Sequence, residues 1–112
     1  MKISNENMNK LIVDGVEPYQ LQGLEELSAR YDSRQSFYKK AYIGYYTFKN
    51  GQTATYLKSY DTVVACIYIN QLRIYGRFSQ TTARHIREFA KQNGFDDCIT
   101  CEDMRSQSVF SK

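Results

Sequence analysis

Residues 57–95, LKSYDTVVACIYINQLRIYGRFSQTTARHIREFAKQNGF, decide how this chain folds. The run TVVACIYI (62–69) is the most apolar in the chain, and its length and β-branched content predict a central strand. Tyr60 and Asp61 mark a bend before it. Asn70 and Gln71 predict a tight turn into LRIYG, where Leu72 and Ile74 face one side and Arg73 and Tyr75 the other. After Phe78 the spacing of Ala83, Ile86, Phe89 and Ala90 predicts an amphipathic helix with these residues inward. Ser79 or Thr81 caps its start, Gly94 supplies the left-handed residue that ends it, and Phe95 folds back onto the last turn. On the outer side Arg84, Arg87 and Lys91 lie at i, i+3 and i+7, one row of positive charge.

Working upstream, AYIGYYTFK (41–49) and TATYLKS (53–59) read as two strands joined through Asn50 and Gly51. Asn-Gly suits the two positive-φ positions of a type I′ hairpin turn. Before them, Leu21, Leu24, Leu27 and Tyr31 fall at spacings of three to four, the pattern of a helix opened by Pro18. Gly23 interrupts that pattern, at a cost of about 1 kcal/mol relative to Ala. Asp32 and Gln35 form a capping-box pattern for a further helical turn through Lys40, and Leu11, Ile12 and Val13 suggest a short strand. Downstream, residues 96–112 show no period, although Ile99 and Phe110 are candidates for the core. The expected architecture is α+β: a four-stranded antiparallel meander, a C-terminal amphipathic helix on one face and an N-terminal helical segment. It forms one domain over residues 1–112, with the helical segment at 1–40, the core at 41–95 and an acidic tail at 96–112.

The 112 residues suffice for one modest core. No apolar run approaches the roughly 20 residues that cross a bilayer, and the first residues lack the apolar stretch of a signal peptide. Three cysteines, an odd number, fit a reducing compartment, so the expected location is the cytoplasm. Charge is unevenly spread. Residues 1–32 carry three basic and six acidic side chains, residues 33–95 ten and two, and residues 96–112 two and four. A basic middle at +8 between acidic ends meets either an acidic partner, nucleic acid or its own termini. Seven of the sixteen aromatic residues fall between 37 and 56, a density that suits a sheet burying tyrosine rings with wet hydroxyls.

Residues able to do chemistry are few. Cys98 and Cys101 form a C-x-x-C, but a second pair of ligands for zinc is missing, and an acidic tail raises rather than lowers a thiol pKa. His85 is the sole histidine; Glu88 at i+3 suits a surface pair with it, which favours a structural role over a general base. The six glycines are scattered singly, so no phosphate-binding loop is present. No catalytic constellation, metal site or cofactor is therefore expected. The remaining signal is basic and aromatic: Arg73, Tyr75 and Arg77 along a strand, and Arg84, Arg87 and Lys91 along the helix. Guanidinium groups bind phosphate or carboxylate bidentately, and tyrosines stack on bases; a solvated basic face is the competing reading.

Two segments carry a resemblance. SYDTVVA (59–65) and FSQTTARHIREFAKQNGF (78–95) resemble a family of small phage and mobile-element proteins with the pattern S-Y-x-T-x-V-A, then S-x-T-T-x-R-H-I-x-E-F-x-x-Q-x-G. Ser59, Tyr60, Thr62, Val64 and Ala65 match the first part; Ser79, Thr81, Thr82, Arg84, His85, Ile86, Glu88, Phe89, Gln92 and Gly94 match the second. The family brings no catalytic residues with it. It implies a non-enzymatic binding protein acting on a host effector, most specifically an anti-CRISPR inhibitor of an RNA-guided DNA nuclease. The basic centre departs from the acidic, DNA-mimicking kind and points to guide RNA or an acidic protein surface as the contact. A small nucleic-acid-binding regulator using the basic helix face is the alternative.

Overall fold

Four strands form where β-branched, aromatic and apolar residues are concentrated: β3 (Ala41–Thr47), β4 (Thr53–Ser59), β5 (Thr62–Tyr68) and β6 (Gln71–Ile74). They pair as the expected antiparallel meander. The structure, a computed structural model, describes residues 2–3, 16–28, 30, 39–75, 80–95 and 108–111. Among these, three more strands extend the meander: β1 (Lys2–Ile3), β2 (Gln22–Glu26) and β7 (Ser108–Ser111). The sheet therefore has seven strands rather than four, in the order β1-β7-β6-β5-β4-β3-β2, every neighbour antiparallel. With helix α1 (Gln80–Gln92), the one α-helix among the described residues, the class is α+β.

The turns differ from expectation in detail. Between β3 and β4, Gly51 N–H donates to Phe48 O at 2.9 Å, and Gly51 alone takes a positive φ, 85°. Asn50 instead accepts the Gln52 N–H on its side-chain oxygen at 2.9 Å. The connection is thus a three-residue turn ending in a left-handed glycine, not a type I′ turn. Between β5 and β6 the turn residues are Ile69 and Asn70, at φ 45° and 61°, one position earlier than expected. Pairing Tyr68 with Gln71 keeps Leu72 and Ile74 on the helix side; a one-residue slip would turn both outward. Residue Val64 is an extra residue in β5, since Leu57 pairs with Ala65 and Lys58 with Val63. This bulge lets Val64 and Ala65 both join the cluster beneath the helix.

The N-terminal helix is corrected to a short 3-10 turn (Pro18–Gln20) followed by strand β2. Gly23 has φ 63°, outside helical space. Leu21 joins the cluster on the sheet face away from α1, whereas Leu27 joins the cluster beneath α1. One helix stripe cannot serve both faces of a sheet, so the leucine spacing reported an edge strand. The segment lies so close to β3 that a Cβ at Gly44 would sit 2.8 Å from Leu21 Cβ. The expected short strand at 11–13, Tyr31, most of the turn at 32–40, the Ser79 cap and residues 96–107 lie outside the described residues.

Helix α1 covers one face of the sheet. Ile86, Phe89 and Ala90 are fully buried against Leu57, Ala65, Leu72 and Ile74, with Ala83 partly buried, as the inward row predicts. Each large apolar side chain so buried contributes about 1.5–3 kcal/mol. The helix ends as its sequence implies: Gly94 at φ 82°, Phe95 N–H to Ala90 O at 2.8 Å and Gly94 N–H to Lys91 O at 3.2 Å, with Phe95 buried. After α1 the chain returns as β7, and Phe110 fills the same cluster, pairing opposite Leu72.

Candidate functional site

Along α1, polar residues interleave with the apolar row at Thr82, His85, Glu88 and Gln92. Ordinarily such side chains face water, but Thr82, His85 and Glu88 are buried. They are met by Ser59, the last residue of β4. Its hydroxyl lies 2.9 Å from His85 Nδ1 and 2.9 Å from Thr82 Oγ1. Further along the helix, Gln92 Nε2 donates to Glu88 Oε2 and to the Ser28 carbonyl, each at 2.6 Å. The Tyr60 ring lies 6.1 Å from the His85 ring, tilted by 44°. This network pins both ends of α1: its first turns to the end of β4, its last turn to the chain leaving β2.

A serine hydroxyl against an imidazole is the beginning of a nucleophile–base arrangement. Here Ser59 is 2% exposed and His85 0%, so the hydroxyl is closed to a substrate. The contacts tie the first turns of α1 to the end of β4. Buried hydrogen bonds contribute about 1 kcal/mol each, while an orphaned buried partner costs about 1–3 kcal/mol. Glu88 is corrected from a surface residue to a buried one, 1% exposed and hydrogen-bonded to Gln92. Its signal in the sequence was the i, i+4 spacing of Glu88 and Gln92 on the inner side of the helix. Among the described residues no group of three or more His, Cys, Asp or Glu is placed to hold a metal. Cys66 is buried, its Sγ 3.2 Å from the Tyr75 hydroxyl; Cys98 and Cys101 lie outside the described residues.

The basic and aromatic residues divide between two surfaces. Arg73 pairs opposite Cys66 on the face away from α1 and is only 4% exposed. Tyr75 is half-buried against the second cluster on that face, together with Tyr56, Cys66 and Tyr68. Arg77 lies outside the described residues. Arg84 and Arg87 are half-buried and Lys91 exposed on α1, across the sheet from Arg73 and Tyr75. Arg73 and Tyr75 therefore do not share a patch with the helix row. No described helix is long and apolar enough to cross a membrane.

Fold and site together define an α+β protein: among the described residues, one antiparallel sheet with helix α1 locked on by a buried polar network. The chain belongs to a family of unknown function, DUF8033, whose family model matches residues 26–106 and so spans β3 to β6 and α1. No curated protein and no solved structure matches it.

Proposed function

We propose that this is a non-enzymatic binding protein of phage or mobile-element origin, most specifically a stoichiometric inhibitor of an RNA-guided DNA nuclease. The observation that carries the non-enzymatic reading is the closure of Ser59, Thr82, His85 and Glu88 into packing contacts beneath α1. The resemblance of residues 59–65 and 78–95 to mobile-element proteins supports the origin and the kind of target. Within the bacterial host cytoplasm, Arg84, Arg87 and Lys91 contact guide RNA or an acidic effector surface, with guanidinium groups bonding phosphate or carboxylate in pairs.

The direct test mixes the protein with a guide-loaded nuclease and follows DNA cleavage and co-elution. Inhibition that is complete near equimolar protein, with a stable complex on size exclusion, is the expected result. A protein that neither co-elutes nor inhibits across guide-loaded and guide-free effectors contradicts it. The same helix row also suits a nucleic-acid-binding regulator, for which affinity for free RNA or DNA falls steeply with salt and Arg87→Ala lowers the salt slope by about one. Weak binding that is flat with salt eliminates that alternative.

A further inference from the structure

The sheet face away from α1 carries a cleft of about 290 Å³ between the Pro18 turn and the start of β5. Val16, Pro18 and Val63 give it apolar walls, Tyr75 an aromatic one, and Glu17 and Asp61 two carboxylates; among the described residues no basic side chain lines it. The carboxylates come from separate, ordered pieces of chain. Glu17 opens the 3-10 turn, its N–H donating to Gln20 Oε1 at 2.8 Å. Asp61 sits in the β4–β5 turn, where Tyr60 holds φ 55° and its N–H bonds to Lys40 O at 2.8 Å. Tyr75 is fixed by its N–H to Val64 O at 3.1 Å and by its hydroxyl beside Cys66 Sγ.

We propose that this cleft receives an arginine side chain of a protein partner. Its size is at the small end of ligand sites, about 300–1,000 Å³, which suits one side chain rather than a cofactor. The three methylenes lie along Val16, Pro18 and Val63, a wall that a small inorganic cation does not use. The guanidinium, planar and forked, bridges the carboxylates of Glu17 and Asp61, which an ammonium point charge does less well. Because the wall positions are held before binding, little ordering cost falls on this side of the contact. The same two carboxylates repel phosphate-bearing ligands. The site is on the opposite face of the sheet from Arg84, Arg87 and Lys91, so it stands independently of the function proposed for that row.

The test is an NMR titration of the ¹⁵N-labelled chain with Nα-acetyl-argininamide, read at the amides of Asp61, Thr62, Val63 and Tyr75. Saturable shifts are expected there, with Nα-acetyl-citrullinamide, the neutral isostere, leaving the same amides unmoved. The double variant Glu17→Gln, Asp61→Asn should bind at least about tenfold more weakly, the loss expected for two charge-assisted hydrogen bonds. If that variant loses its dispersed spectrum, salt decides: wild-type affinity should drop severalfold between about 20 and about 500 mM salt. Non-saturating shifts, an equal response to the citrulline compound, unchanged binding by the folded variant or salt-independent binding would each overturn the assignment.

Discussion

Gly44 lies where the chain before β2 crosses β3, and no larger residue fits. An added Cβ meets Leu21 Cβ at 2.8 Å, Leu24 Cδ2 at 3.0 Å and Leu21 Cδ1 at 3.1 Å. Gly44→Ala should therefore destabilise by about 1–3 kcal/mol in urea unfolding. Ile69 presents the opposite case: a β-branched residue at φ 45° with 61% of its surface in water. Left-handed backbone costs an ordinary L-residue about 1–2 kcal/mol, and asparagine tolerates it. Ile69→Asn should raise stability by about 1 kcal/mol, seen as a higher urea midpoint with an unchanged m-value. His85→Ala should lower stability by about 2–4 kcal/mol, since it opens a cavity and strips a partner from Ser59. Neither the Gly44 approach nor the Ile69 turn was legible in the sequence, because each depends on which residue lies across the sheet. The surface pair expected between His85 and Glu88 gives way to burial of both, and Ser59, the residue that His85 meets 26 positions away, was not legible.

At the level of elements, β3, β4, β5, β6 and α1 were readable because each carries its own period and its own stop signal. Gly94 and Phe95 close α1 with both hydrogen bonds of the expected motif. Strand β2 was misread because leucines at 21, 24 and 27 match a helix stripe, and only the sheet shows that Leu21 and Leu27 serve opposite faces. Strand β7 was hidden for another reason: four residues, Ser108–Ser111, have too short a pattern to announce a strand without the vacant edge of β6 beside them. On α1 the polar residues split by role. Substituting Arg84, Arg87 and Lys91 together by glutamate should abolish partner binding, because three charges change sign on one helix row. Circular dichroism of the same variant should retain its helix signal, since Ile86, Phe89 and Ala90 still bury the inner side.

Across the described residues, the sheet carries a buried cluster on each face, and the aromatic residues divide between them. Beneath α1 the filling is aliphatic with Phe89, Phe95 and Phe110; on the other face Phe48, Tyr56 and Tyr68 take over. Phe48 meets Tyr46 and Tyr68 edge-on, with ring centroids 5.1 and 5.5 Å apart. The Tyr68 hydroxyl donates to Gln52 Oε1, so the ring is buried while its polar end is satisfied. Phe110 joins the two ends of the described chain, since β7 lies between β1 and β6. Phe110→Ala should cost about 3–5 kcal/mol, far more than a residue of a solvated tail would. The proposed function, binding through the outer row of α1 rather than catalysis, has a stoichiometric signature. It is tested most directly by titrating the protein into a fixed amount of guide-loaded nuclease and measuring residual DNA cleavage. Cleavage should fall linearly to a break near one protein per complex, and the Arg84→Glu, Arg87→Glu, Lys91→Glu variant should leave it untouched. Undiminished cleavage with the wild-type chain in excess, or loss of cleavage at far less than one protein per complex, would contradict the account.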